Sequence, residues 1–159
     1  MIAEASRELT LVLGGARSGK SRFAESLIAR HPPPWLYVAT AEAGDAEMAA
    51  RIAAHKARRG PDWMTIEAPH DLASVLAEQG NRPVLVDCLT LWLSNLMLAN
   101  SDIDVAVARL EQALEQANGP VVVVANEVGS GVVPENALAR RFRDLQGQLN
   151  QRLAARADR

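Results

Sequence analysis

The stretch Leu9-Thr10-Leu11-Val12-Leu13 runs without a break into Gly14-Gly15-Ala16-Arg17-Ser18-Gly19-Lys20-Ser21. That join constrains the fold more than any other part of the chain. The second segment matches G-x-x-x-x-G-K-[ST], and it sits in the context this pattern requires. Before it lies a short apolar run, which reads as a strand buried on both faces. After it, Phe23, Ala24, Leu27 and Ile28 recur at helical spacing to face a sheet, until His31-Pro32-Pro33-Pro34 ends the helix. In a strand, loop and helix of this kind, backbone N–H groups turn inward around phosphate oxygens and the helix N-terminus adds its positive dipole end. Lys20 then spans the β- and γ-phosphates, and Ser21 is the expected magnesium ligand.

Downstream, strands alternate with helices. Trp35-Leu36-Tyr37-Val38-Ala39 reads as a second strand, and residues 46–58 as a helix with Asp45 as N-cap. Trp63-Met64-Thr65-Ile66-Glu67 reads as a third strand, followed by a helix over 72–79. Pro83-Val84-Leu85-Val86-Asp87 and Val121-Val122-Val123-Val124-Ala125 have the continuous apolar character of interior parallel strands, the second preceded by a helix over 104–117. A loop over 132–136 leads to a last helix with Leu138, Phe142, Leu145, Leu149 and Leu153 on one face. The predicted fold is one α/β domain over residues 1–159. It is a three-layer P-loop (RecA-like) sandwich with a mainly parallel sheet and ligands at the carboxyl ends of its strands. Because a doubly wound sheet normally continues from such a helix into another strand, the final C-terminal strand is expected to be missing.

The chain has 159 residues, 48% of them hydrophobic, enough for a sizeable core. A formal net charge of −2 argues against a nucleic-acid partner, and the local basic cluster Arg51, Lys56, Arg58 and Arg59 is suited to one small anion. The lone Cys88 lies in an apolar run and points to a reducing compartment, with the cytoplasm as the expected location. The longest apolar stretch, 83–99, is interrupted by Asp87, Thr90, Ser94 and Asn95, so no membrane span is expected.

A P-loop needs an acidic residue at the end of a neighbouring strand to hold its metal, and Asp87 fits. Its other reading is the N-cap of a helix from Leu89. No D-x-x-G follows that strand and no N-K-x-D occurs, which removes a regulatory GTPase. Met48, Ile52 and His55 share a narrow helical stripe, with Arg51 and Arg58 beside His55. His55 therefore reads either as a rim-of-core histidine or as a neutral nucleophile kept unprotonated by nearby guanidiniums, which would also bind phosphate. Glu67 reads as a surface carboxylate or as an acceptor for a guanine edge or ribose hydroxyl. His31 and His70 read as loop residues, and Trp63 and Trp92 as core.

Several segments beyond the P-loop resemble the bifunctional adenosylcobinamide kinase/adenosylcobinamide-phosphate guanylyltransferases of cobalamin biosynthesis. They are Tyr37-Val38-Ala39-Thr40-Ala41; Asp45-Ala46-Glu47-Met48 with Arg51-Ile52 and His55; Trp63 with Thr65 and Glu67; and Asn126-Glu127-Val128-Gly129 continuing to Pro134-Glu135-Asn136. The resemblance implies phosphorylation of adenosylcobinamide with ATP or GTP. It then implies GMP transfer from GTP to adenosylcobinamide phosphate through a guanylylated His55. It also implies nucleotide contacts at Gly14, Gly15, Ala16, Arg17, Ser18, Gly19, Lys20, Ser21, Ala39, Thr40, Ala41, Lys56, Ala57, Arg58, Arg59, Glu67 and Asp87, and a homotrimer. The loop from Asn126 to Gly131 would cover a substrate. Residues alone leave two rivals open, a P-loop kinase for another small alcohol and a RecA-like ATPase that is not a kinase.

Overall fold

The computed structural model describes residues 8–15, 19–42, 44–126 and 136–159. The proposed cradle residues Ala16, Arg17 and Ser18 lie outside them, as do residues 127–131 of the expected covering loop and 132–135 of the loop before the last helix. Eleven elements alternate along the described chain: β1 (Leu9–Gly14), α1 (Lys20–Ile28), β2 (Trp35–Ala39), α2 (Ala46–Arg58), β3 (Trp63–Glu67), α3 (Leu72–Ala77), β4 (Val84–Asp87), α4 (Leu89–Leu98), α5 (Ile103–Gln116), β5 (Val121–Asn126) and α6 (Ala137–Arg156). The five strands form one sheet in the order β1-β5-β4-β2-β3, with every pair parallel.

Side chains of successive strand residues leave opposite faces of the sheet, and each face has its own core. Leu36, Val38, Val84, Val86, Val121, Val123 and Ala125 pack under α3, α4, α5 and α6, where Trp92, Leu93, Leu110, Leu149 and Leu153 are buried. The alternate residues Tyr37, Ala39, Leu85, Val122 and Val124 pack with Ala24 and Ile28 of α1. Both faces of the central strands are covered, which is why β4 and β5 lack polar residues before their last positions. Glu111 of α5, itself buried, ties α6 to this layer through ion pairs with Arg152 and Arg156.

The helical spacing of α1 is confirmed for Ala24 and Ile28, but Phe23 does not face the sheet: it is 54% exposed. The stripe on a nine-residue helix covering one core is narrower than four apolar positions. In α6, Leu138 is likewise exposed while Leu149 and Leu153 carry the packing. α3 ends at Ala77 rather than at 79, because Glu78 and Gln79 close a turn before Gly80, whose φ of 60° is left-handed. At the outer rim of β1, Leu9 O accepts from Arg159 N at 3.4 Å and Leu11 N donates to Arg159 O at 3.1 Å. This is the bonding pattern of a parallel neighbour opposite Thr10. No sixth strand is formed among the described residues.

Cys88 is 6% exposed, and burial pushes its thiol above the usual cysteine range, so little thiolate forms at neutral pH. Folded protein is therefore expected to resist iodoacetamide at pH 8 and to take up one equivalent once denatured. Rapid stoichiometric alkylation of the folded chain, read by intact mass, would contradict that packing.

Candidate nucleotide and phosphotransfer site

The register of the sheet lines up the functional candidates. Gly14 pairs with Asn126, Val124 with Asp87, Asp87 with Ala39, and Ala39 with Glu67. The carboxyl ends of all five strands thus share one rim, with the P-loop at one side and Glu67 at the other. β5 separates the P-loop strand from the Asp87 strand, so the two are not neighbours. α1 spans the gap because it packs over β5 and β4 as well as β1.

Gly19 caps α1 with φ 79°, a left-handed conformation that favours glycine, and the helix opens directly at Lys20 and Ser21. Lys20 Nζ donates to Gly15 O at 3.0 Å, linking the two sides of the cradle. Ser21 Oγ donates to Asp87 Oδ2 at 3.1 Å across β5. An octahedral magnesium with ligands about 2.1 Å away places adjacent ligands about 3.0 Å apart. A hydroxyl and a carboxylate this close therefore suit a shared magnesium shell, whether both bind directly or one binds through water. Among the described residues no group of three or more His, Cys, Asp or Glu side chains forms a metal cage, so the remaining ligands would have to come from phosphate and water.

Asp87 does not cap the following helix. The N-cap of α4 is Cys88, without a side-chain bond. The Asp87 carboxylate instead accepts from Ser21 and, at 2.5 Å, from the Tyr37 hydroxyl. Burial first, and the Asp87 carboxylate second, hold that hydroxyl protonated, well above the usual phenol range. Behind it, the fully buried Thr40 donates from Oγ1 to Cys88 O at 2.6 Å and accepts there from Cys88 N at 2.9 Å. This pins the end of β4 to the turn after β2.

α2 begins at Asp45, whose Oδ1 accepts from Met48 N at 2.7 Å, and it has no buried residue. It stands as a partition between two cavities. On one side Ala54, His55 and Arg58 line a space of about 330 Å³ together with Gly19, Lys20 and Ser21. On the other, Ala49, Ile52, Ala53 and Lys56 line a space of about 420 Å³ with Ala41, Glu42, Glu67 and Pro69. The rim-of-core reading of His55 fails here. Its ring is exposed, and Ile52, its neighbour in the predicted stripe, faces the other cavity. Residues three apart on a helix differ by about 60° in direction, enough to send them to opposite sides of a thin wall.

The basic cluster divides in the same way. Arg51 is exposed and 3.8 Å from Glu47, away from both cavities. Arg58 reaches both carboxylate oxygens of Glu25 on α1 at 3.3 Å, fastening α2 beside the P-loop helix. Arg59 turns inward, lies 3.5 Å over the Tyr37 ring and donates to Thr65 Oγ1 at 3.3 Å. Ala57 is exposed and lines neither cavity. Trp92 is buried core, its Nε1 donating to His70 O, whereas Trp63 is half-buried against Trp35 and Tyr37.

Two contributors escaped the sequence reading. Asn95 of α4 donates to Thr40 O at 2.7 Å and to Pro69 O at 3.1 Å, so it joins the turns after β2 and β3 that floor the second cavity. Its signal was a lone amide inside an apolar helix. Tyr37 is the other: a single tyrosine on a strand otherwise buried.

The family model described as cobinamide kinase / cobinamide phosphate guanyltransferase matches residues 10–159. The chain belongs to that family. It is 49% identical over 154 residues to the bifunctional adenosylcobalamin biosynthesis protein CobP of Pseudomonas aeruginosa, a match spanning 94% of this chain and 88% of that protein. It is 42% identical over 167 residues to the bifunctional adenosylcobalamin biosynthesis protein CobU of Salmonella typhimurium, spanning 94% and 92% of the two chains. Among solved structures it resembles an ATPase from the type III secretion system of pathogenic bacteria, with a TM-score of 0.54 and 13% identity over 90% of this chain and 49% of that one. That likeness supports the RecA-like P-loop fold of this family member and nothing beyond the fold. No helix among its described residues is long and apolar enough to cross a membrane.

Proposed function

We propose that this cobinamide kinase / guanyltransferase family member carries out two transfers at one nucleotide site. In the first, the hydroxyl of adenosylcobinamide attacks the γ-phosphorus of ATP or GTP. The bond to the β-bridging oxygen breaks, the nucleoside diphosphate leaves, and the hydroxyl proton is released. Lys20 and the backbone of the P-loop neutralise charge on the transferring group. Ser21 and Asp87 would hold magnesium, which supplies further charge neutralisation on the phosphates.

In the second transfer, a His55 ring nitrogen attacks the α-phosphorus of GTP and pyrophosphate leaves, giving a guanylylated histidine. A phosphate oxygen of adenosylcobinamide phosphate then attacks the same phosphorus and the P–N bond breaks. The products are adenosylcobinamide-GDP and free His55. Arg58 beside His55 is placed to bind phosphate oxygens. Lys56, Ala41 and Glu67 are placed to receive the nucleoside, with Glu67 accepting from a guanine edge or a ribose hydroxyl.

The observation that carries this reading is the shared cavity: His55 and Arg58 line the same space as Gly19, Lys20 and Ser21. A P-loop kinase for another alcohol has no use for a histidine there. The reading also places the enzyme in the cytoplasm, consistent with a buried free cysteine, and as a homotrimer, which rests on the resemblance alone.

The test is incubation with α-labelled and γ-labelled GTP, with and without adenosylcobinamide. The α label is expected on protein without the corrinoid and on a corrinoid product with it, whereas the γ label goes to adenosylcobinamide phosphate. Transfer of γ label with no α-labelled protein at any time would reduce the function to a simple kinase.

A further inference from the structure

We infer that Tyr37 is a positioning residue for the metal carboxylate, aiming Asp87 at magnesium, and that Arg59 holds the Tyr37 ring in place for that task. This rests on the reading of the P-loop as a magnesium-nucleotide site.

The plane of an aspartate carboxylate is weakly fixed by its own torsion, which is broad and roughly two-fold. At Asp87 two hydroxyls settle it. Ser21 Oγ and Tyr37 Oη both donate to the single oxygen Oδ2, at 3.1 and 2.5 Å. Neither bond uses Oδ1, so the carboxylate plane is set while one oxygen is left for magnesium or its water. The two donors differ in kind. Ser21 can ligate a metal through an oxygen lone pair while its O–H stays on Asp87, so it belongs to the metal shell as well as to the carboxylate. Tyr37 is 8% exposed on an interior strand, lines neither cavity and reaches the site only through its bond to Asp87.

The ring is held from its other face. Arg59 stacks at 3.5 Å from the Tyr37 centroid, and its only hydrogen bond among the described residues goes to Thr65, while its Nε is buried without a partner. A half-buried guanidinium whose Nε lacks a partner is costly, so its placement over an electron-rich face is what offsets that cost. Trp63 meets the same tyrosine edge-on at 6.2 Å. Arg59 directly follows α2, so the helix that carries His55 ends on the tyrosine that aims Asp87.

The test uses a fluorescent, non-hydrolysable GTP analogue titrated into the full chain, with excess EDTA and across a magnesium series. Tyr37→Phe keeps the ring and the stacking and removes only the donor. The apparent magnesium constant is expected to rise about 10-fold, the lower end of what loss of an outer-shell partner does to metal affinity. Metal-free analogue affinity should stay within about twofold of the parent. In an Asp87→Asn background the Tyr37→Phe change should add nothing, because its effect passes through that carboxylate. An unchanged magnesium constant, an equal loss with and without metal, or additive losses in the double variant would each overturn the inference. A parent chain that fails to bind the analogue, or gains nothing from magnesium, would instead sink the site reading beneath it.

Discussion

Lys20→Ala is expected to lower kinase and guanylyl transfer together, each by about 100- to 1000-fold, the effect of deleting one preorganised charge donor from a transition state, about 2.7–4 kcal/mol. The reason is position. Lys20 Nζ lies 3.0 Å from Gly15 O at the mouth of the cradle, and the same side chain lines the cavity that holds His55. Charge develops on phosphate oxygens in both reactions, at the γ group in one and the α group in the other. A bound triphosphate runs past one ammonium in each case. The only other lysine, Lys56, faces the far side of α2 and has no route to compensate. Folding should be little affected, since Lys20 anchors no core contact, so thermal melting separates a catalytic loss from collapse. Near-normal adenosylcobinamide phosphate formation by Lys20→Ala would remove Lys20 from its assigned role.

The strands were legible because they are buried on both sides. Val84-Leu85-Val86 and Val121 to Ala125 could be nothing but interior strands of a covered parallel sheet; the end of β4 at Asp87 followed, while β5 runs one residue past its expected end, to Asn126. Strand order was not legible, since nothing in Val121 to Ala125 says that β5 inserts between β1 and β4. That insertion decides the geometry of the proposed metal pair, Ser21 and Asp87. Ser21 meets Asp87 only because α1 lies across β5.

The site residues divide by how local their signal is. The P-loop, the Asp45 cap and the end of β4 are set by neighbours within a few residues, and the sequence pattern finds them. His55 was left between two readings because helical periodicity gives direction about an axis and not what stands opposite. α2 buries no side chain, so its apolar positions at Met48 and Ile52 do not mark a core face. Asp87 illustrates the same limit in reverse: a carboxylate before a helix looks like a cap until Tyr37 and Ser21, far away in sequence, occupy it. Asn95 works between the turns after β2 and β3, and Tyr37 between β2 and the end of β4, contacts that no single-segment pattern encodes.

His55→Ala is expected to split the two activities. Kinase chemistry is an in-line transfer between bound nucleotide and substrate hydroxyl and needs no protein nucleophile, so phosphorylation of adenosylcobinamide should persist within a few-fold of the parent. Guanylyl transfer is expected to vanish, because removing the nucleophile from a covalent mechanism lowers turnover by about 10⁶-fold. His55 is exposed, on a helix with no buried residue, so truncation leaves no core cavity and the fold should be unchanged. The parent adduct should be a phosphoramidate, lost in acid and stable in base, and mass spectrometry should place it on the peptide containing His55. The variant should accumulate adenosylcobinamide phosphate without converting it. His31 and His70 offer no substitute, the first in the turn after α1 and the second 3.4 Å from Glu42 on the far side of α2. If His55→Ala still took up α label at the parent rate, the covalent step would lie at another residue, and the cavity shared by His55 and the P-loop would lose its proposed meaning.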